Sequence, residues 1–255
     1  IRRAQEFAKE VREQMPDADI VLLHSAFLMP DRAARERELL QKLGKRSTKA
    51  ERDHLIVIGT SVLEQSLDID GDVMLTDLCP MDLLLQRLGR LHRHPVHDAM
   101  RPEQLKAAQC YVIEPDEDVF ESGTRCIYGD YLLMRTKKRL PDKITLPTDI
   151  PNLVQDCYDD REPDWETEAE KIMYGKAKEE EEKKTGYKKT KADSYCLDKP
   201  RRSLENWISN VVTKLDEEEA QAQVRDSENS IEVLLFMQKG NEICYLPWQH
   251  EGQRL

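Results

Sequence analysis

The chain has 255 residues, of which 35% are charged and 39% hydrophobic, and it carries a formal net charge of −11. That length supports one large domain or two small ones with a real core, while long polar stretches must lie outside it. The negative balance excludes bulk nucleic-acid binding by a globally basic surface, though not a local basic groove, and no apolar run reaches the length of a membrane span.

The opening IRRAQEFAKEVREQM predicts an amphipathic helix from Ile1 to Gln14, with Ala4, Phe7, Ala8 and Val11 as its apolar stripe. No capping residue precedes it and no signal peptide is visible, so the chain reads as beginning inside a domain. A short buried strand follows at Asp19 to His24, then a charged helix started by Pro30-Asp31 and stopped by Gly44. Residues 46–53 read as a polar loop. Strands are expected at Leu55 to Ile58, Val73 to Leu78 and Cys110 to Ile113, with a short helix or turn at Val62 to Ser66 and a helix at Met81 to Leu91. This alternation implies an α/β fold, an open and mostly parallel sheet with helices on both faces.

After Pro115 the composition changes. Residues 116–182 are rich in Asp, Glu and Pro, with helices expected at Tyr128 to Leu140 and Ile150 to Asp160. The charge run Lys178 to Lys191 reads as a solvated helix end or a mobile linker. A last unit from about Ala192 contains a hairpin within Ser230 to Pro247, turning at Lys239-Gly240-Asn241. Cys79, Cys110, Cys126, Cys157, Cys196 and Cys244 form no CxxC pair, so neither a zinc site nor a disulfide framework is expected, and reduced thiols fit a cytoplasmic protein.

The most informative stretch runs from Leu55 to His94. A strand leads into Gly59-Thr60-Ser61, where backbone amides and hydroxyls at a strand's carboxyl end can hold a phosphate; a satisfied turn is the plain alternative. Asp68 and Asp70 can accept a ribose hydroxyl or orient an arginine, or simply cap a turn. Arg87, Arg90 and Arg93 recur every third residue, which on a continuous helix puts three guanidiniums on one face. Arginine suits multivalent phosphate contact, although exposed helical arginines often do no more than pair with acids. Gly89 between them removes a side chain and permits close backbone approach.

TSVLEQSLDID and LLLQRLGRLHRH resemble motifs V and VI of the superfamily 2 helicases, and in particular the CRISPR-associated helicase–nuclease of type I interference. Gln86 agrees with that branch's QRxGRxxRH form. His24-Ser25-Ala26-Phe27 with Asp31-Arg32 resembles the family's HSRF…DR stretch, Ala26 standing where the family usually has Arg, and Val224-Arg225-Asp226 resembles the start of its C-terminal sheet. The resemblance implies a second RecA-like lobe. It implies that Arg90 and Arg93 are arginine fingers for the γ-phosphate of ATP. It implies that Gln86, Arg87 and Gly89 hold the motif at the nucleotide, and that Asp68 touches the ribose or an arginine. Thr60, Ser61 and Gln65, with His24 and Ser25, would meet the DNA backbone.

The other half of an ATP site is not apparent. Leu43-Gly44-Lys45-Arg46-Ser47-Thr48 mimics the end of a P-loop, but Leu39 stands at the first glycine's place and the piece ends a helix. Asp116-Glu117 follows motif VI, the wrong order for a DExH box, and HRHPVH (His92, His94, His97) lacks a Cys or carboxylate at metal-site spacing. No metal site is therefore expected; nuclease metals would belong to a domain outside this sequence. ATP and Mg²⁺ would be shared with a first lobe outside it too. The expected organisation is a second RecA-like lobe over 1–115 lacking its first strand, a charged helical linker over 116–184 and a small α/β accessory domain over 185–255. The implied partners are single-stranded DNA, an RNA-guided type I surveillance complex, the first lobe and the nuclease domain, with no membrane. The implied activity is 3′–5′ translocation with DNA cleavage by the nuclease, and the chain alone is expected to be inactive. The alternatives are a lobe of another superfamily 2 DNA or RNA helicase, or a non-catalytic fragment that docks a partner through its acidic stretch and hairpin.

Overall fold

Parallel strand pairs organise the first of the chain's two units, Ile1–Thr185 and Gly186–Leu255, in a computed structural model that describes residues 1–64, 67–115, 120–194, 236–239 and 242–245. β1 (Asp19–Leu23) lies beside β2 (Leu55–Gly59) with Asp19 opposite Leu55 and Leu23 opposite Gly59. β3 (Val73–Asp77) lies beside β4 (Gln109–Ile113) with Val73 opposite Gln109. The α/β class and the parallel direction agree with the sequence. The strands divide, however, into two ladders rather than one run of neighbours among the described residues. Between them passes the segment 67–72, whose Asp68, Asp70 and Asp72 alternate with Leu67, Ile69 and Gly71. It makes only single bridges, Gly44 with Ile69 and Gly71 with Leu91.

α1 (Arg2–Gln14) buries Ala8 and leaves Phe7 exposed. α2 (Met29–Leu43) carries Pro30 in its first turn and ends at Gly44, where a Cβ would collide with the Leu40 carbonyl oxygen. The stretch expected as a polar loop contains one helical turn, α3 (Lys49–Arg52). Thr48 accepts the Glu51 N–H while the Glu51 carboxylate accepts the Thr48 N–H at 2.8 Å, a reciprocal cap. That Thr48 therefore serves a helix start and no phosphate loop.

α4 (Met81–Leu88) buries Met81, Leu84 and Leu85. The downstream helices are α5 (Ser122–Tyr128), α6 (Asp130–Arg139), α7 (Ile150–Tyr158) and α8 (Glu168–Ser194). The charge run at 178–191 lies within α8. In the second unit, β5 (Phe236–Lys239) pairs antiparallel with β6 (Glu242–Tyr245), the expected hairpin strands; Gly240-Asn241, Val224-Arg225-Asp226 and Asp116-Glu117 lie outside the described residues. Among the described residues no helix is long and apolar enough to cross a membrane.

Three apolar clusters hold the first unit. Val21, Leu23, Leu39, Val62, Leu67 and Ile69 fill the space between the β1–β2 ladder and α2. Leu78 meets Phe120, Leu133, Met134, Tyr174 and Ala177, and α4 meets Cys157 of α7, with Leu153 and Val154 beside it. Each fully buried Leu is worth about 1.5–3 kcal/mol relative to exposure. Two of the three clusters thus use residues from the acidic, Pro-rich stretch, whose composition hid them.

Burial pushes the Cys79 thiol up to about 12 and the Cys157 thiol up to about 11, and it also raises Cys110, whereas Cys126 is exposed. Only thiolate reacts. Among these four, iodoacetamide at pH 8 is expected to label Cys126 first and to reach Cys79 and Cys157 only after denaturation. Peptide mass spectrometry checks the order.

Candidate functional site

α4 stops three residues short of its expected end. The Gly89 N–H donates to the Leu85 carbonyl, and the chain then turns away to bridge with Gly71. The Gly71 N–H donates to the Arg90 carbonyl at 2.7 Å, and the His92 N–H donates to the Gly71 carbonyl at 3.0 Å. His92 sits in the left-handed region at φ 49°, steadied by its ring 3.0 Å from the Asp72 carbonyl. The expectation of three arginines on one helical face is corrected here: Arg87 is helical, while Arg90 and Arg93 lie beyond the helix. A Cβ at Gly89 would meet only ordinary contacts, so nothing within this chain requires a glycine for close approach there.

Each arginine has its own surroundings. Arg87 faces inward: Nε donates to Glu64 at 2.7 Å, Nη1 to the Thr76 hydroxyl at 2.6 Å and the Asp77 carbonyl at 3.1 Å, and Nη2 to the Tyr128 hydroxyl at 3.3 Å. It ties the turn Ser61–Glu64, β3 and α5 together. Arg90 donates Nη2 to the Glu64 carbonyl at 3.1 Å, while its Nε is buried without a hydrogen-bond partner. Burial lowers the pKa of Arg90 from its ordinary value, and the nearby Arg93 charge acts in the same direction. Arg93 is half in solvent, its Nε on Asp68 at 2.6 Å and its Nη1 on the Gly89 carbonyl at 3.1 Å. That Arg93 hydrogen bond, with a smaller contribution from His94, holds the Asp68 carboxyl below the usual range.

Behind this pair lies a buried ionic group that sequence reasoning missed. Asp70 is 0% exposed and accepts from the Arg93 backbone N–H at 2.8 Å and from Arg101 Nη2 at 2.8 and 3.0 Å, with His97 Nδ1 at 2.5 Å. Arg52 donates to the Asp70 carbonyl at 2.8 Å and to Asp72 at 2.6 Å, and Arg101 also reaches Asp72. Burial would raise the Asp70 pKa, but His97, Arg101 and the Arg93 N–H outweigh it and hold the carboxyl below its ordinary value. Arg52 lies 45 residues before His97, and no regular element joins it to Arg101; the only signal in the sequence was the acid-rich DIDGD itself.

Of the residues read as nucleic-acid contacts, His24, Ser25, Thr60 and Ser61 follow the carboxyl ends of β1 and β2. The Thr60 N–H donates to the Leu23 carbonyl at 3.2 Å and its own carbonyl accepts from Leu63, which leaves Ser61 exposed at the start of a 3₁₀ turn. Ser25 is exposed as well. His24 is buried, stacked on Phe27 at 4.2 Å and 3.1 Å from the Gln5 amide, so it supports this edge from beneath. Gln86 is exposed on α4, and Gln65 lies outside the described residues.

Residues 1–96 match the family model described as CRISPR-associated nuclease/helicase Cas3, C-terminal. The CRISPR-associated nuclease/helicase Cas3 of Streptococcus thermophilus is 43% identical over 244 residues, which is 92% of this chain and 26% of that protein. The chain therefore spans about a quarter of that relative's length. Among solved structures, one described as a CRISPR-associated protein superposes with a TM-score of 0.69 at 34% identity, covering 76% of this chain and 22% of its own. The T. fusca Cas3-ATP structure gives 0.59 at 31% identity, covering 69% and 21%. A CRISPR RNA-guided surveillance complex, pre-nicking, gives 0.57 at 31%, covering 68% and 22%. These matches share the RecA-like α/β architecture and extend past the motif segment into the downstream helices, and the chain belongs to the CRISPR-associated nuclease/helicase family, as its C-terminal part.

Proposed function

We propose that this chain forms one wall of the ATP site of a 3′–5′ single-stranded DNA translocase in CRISPR antiviral defence, with Arg90 and Arg93 as its arginine fingers. The observation that carries the reading is Arg90: a buried guanidinium nitrogen without a partner, beside a second arginine that raises the cost of its charge. An anion seated between them offsets both costs, and a triphosphate is the anion that the ATP-bound T. fusca relative suggests. ATP is the substrate. In this reading Arg90 and Arg93 stabilise charge on its transferring phosphoryl group. Asp68, which holds Arg93 at 2.6 Å, releases or shares it as the cleft closes and meets the ribose. Gln86 faces the other lobe, while Arg87 keeps motifs V and VI in register through Glu64 and Thr76. Mg²⁺ would accompany the nucleotide and be held by acidic residues of the first lobe.

Ser25, Thr60 and Ser61 would hold the DNA backbone by contacts that read no sequence. The surveillance complex containing a similar chain supports recruitment to an RNA-guided assembly. Residues 1–115 act as the lobe, 116–184 brace it, and 185–255 form an accessory domain that helps dock the surveillance complex.

One wall does not make a hydrolase. The chain alone is expected to show no ATP turnover, and a separately purified first RecA-like lobe is expected to restore DNA-stimulated hydrolysis on mixing. A phosphate-release assay with and without that lobe checks both statements. Turnover by the isolated chain that falls on Arg90→Ala would overturn the division of labour. Displacement of a strand annealed beside a 5′ rather than a 3′ overhang would overturn the polarity.

A further inference from the structure

The Asp70 group does more than neutralise itself. Both acids and both arginines are accounted for: Asp70 and Asp72 against Arg52 and Arg101, with His97 against Asp70. Asp70, His97 and Arg101 are each nine-tenths or more buried. Taking charges out of water is expensive, and an apolar cluster of equal volume would stabilise the same loops as well. What an ionic group supplies instead is a single geometry, because the Asp70 carboxylate accepts from the Arg93 N–H and from Arg101 Nη2 in fixed directions, with His97 Nδ1 beside it. The Asp70 N–H is itself fixed, donating to the Leu43 carbonyl at the end of α2 at 2.9 Å. The backbone N–H of Arg93 donates to the Asp70 carboxylate at 2.8 Å, and the His92 ring lies 3.0 Å from the Asp72 carbonyl, so the frame is tied directly to the segment that carries Arg93. On the same stretch, Gly71 exchanges backbone hydrogen bonds with Arg90 and His92.

We propose that Asp70 is a positioning residue for Arg93, and that Arg52, His97 and Arg101 form the buried frame that fixes it. The proposal rests on the finger reading of Arg93 and adds to it where the accuracy of the finger comes from. Misplacing a catalytic group by about 1 Å costs on the order of 10² in rate. Asp70→Asn keeps the side chain's shape and one acceptor oxygen but turns an amide N–H₂ toward donors. Arg101→Lys keeps the charge but loses the paired contact.

The test is steady-state ATP turnover with single-stranded DNA in the assembled motor, first lobe included. The variants are Asp70→Asn, Arg101→Lys, Arg93→Ala and the doubles Asp70→Asn/Arg93→Ala and Arg101→Lys/Arg93→Ala. The single positioning variants are expected to lower kcat about 10²-fold, with KM for ATP and DNA affinity within about twofold. In the Arg93→Ala background the same substitutions are expected to change kcat by less than about twofold, since the finger they aim is gone. A merely structural role would lower activity by the same factor in both backgrounds, and that result overturns the proposal. If Arg93→Ala alone leaves kcat unchanged, the finger reading falls first and the positioning role with it. Arg101→Lys carries the test should Asp70→Asn fail to fold by circular dichroism.

Discussion

In the assembled motor, Arg90→Ala combined with Arg93→Ala is expected to lower ATP turnover by about 10³-fold or more. Loss of fold does not explain such a drop. Arg93 is 39% exposed and its partner Asp68 55%, so removing their ion pair costs about 0–1 kcal/mol. Arg90 makes one bond to a carbonyl and keeps a buried nitrogen unpaired, so its loss removes little stabilisation. The two substitutions are expected to be far from additive, because both guanidiniums serve the same developing charge. Lysine at either position is expected to restore only part of the rate, since an ammonium lacks the fork that spans two phosphoryl oxygens. DNA binding without nucleotide is expected to be unchanged, which separates this outcome from a defect at Thr60 or Ser61. Single-turnover hydrolysis and DNA affinity on the same preparations provide the check. If the protein were a non-catalytic docking fragment, the double variant would behave like the parent.

The strands and caps were legible in the sequence because their causes are local. LIVIG and VMLTD are apolar, β-branched runs bounded by turn residues, and Pro30 and Gly44 bracket α2 as start and stop residues do. The family resemblance was legible at Arg90 and Arg93 because motif VI is contiguous. The helical-face argument failed at Gly89, whose backbone is still right-handed: long-range pairing of Leu91 with Gly71 outbids three more residues of helix. The Asp70 frame was hidden because its members, Arg52, Asp70, Asp72, His97 and Arg101, are drawn from separate loops and meet only after the ladders form. His97 read only as one of three histidines in HRHPVH with no Cys or carboxylate at metal-site spacing; the structure buries it against Asp70. Two of the downstream helices, α6 and α7, were expected from the sequence, but what they bury was not. Their apolar positions are few and spaced among charges, yet Leu133, Met134, Cys157, Tyr174 and Ala177 fall on the faces that meet β3 and α4.

Beside their apolar contacts those helices share one buried cation, and Arg135→Met is expected to destabilise the first unit by about 3–5 kcal/mol, the range for removing one partner of a buried charged group. Arg135 is 1% exposed. Its Nε donates to the Cys157 carbonyl at 2.5 Å, Nη2 to the Asp156 and Asp159 carbonyls at 3.1 and 2.9 Å and to the Asp159 carboxylate at 3.0 Å, and Nη1 to the Tyr174 hydroxyl at 2.9 Å. Two of these carbonyls belong to the last turn of α7, where a helix leaves acceptors without internal partners and its dipole favours a cation. Methionine fills the volume but satisfies none of them, and each acceptor left buried costs about 1–3 kcal/mol. α7 then loosens from α6 and α8, and with it Cys157, which packs against Met81 and Leu85 of α4. At about 2–4 °C per kcal/mol for a unit of this size, the thermal midpoint is expected to fall by roughly 10 °C. Lys138→Ala, on the same helix as Arg135, removes an ion pair with the exposed Glu166 and is expected to leave the midpoint in place. Thermal melts followed by circular dichroism compare the two. A midpoint for Arg135→Met equal to the parent's would mean that the downstream helices unfold independently of the lobe. In that case α4, and the arginines that follow it, would be braced by the strands alone.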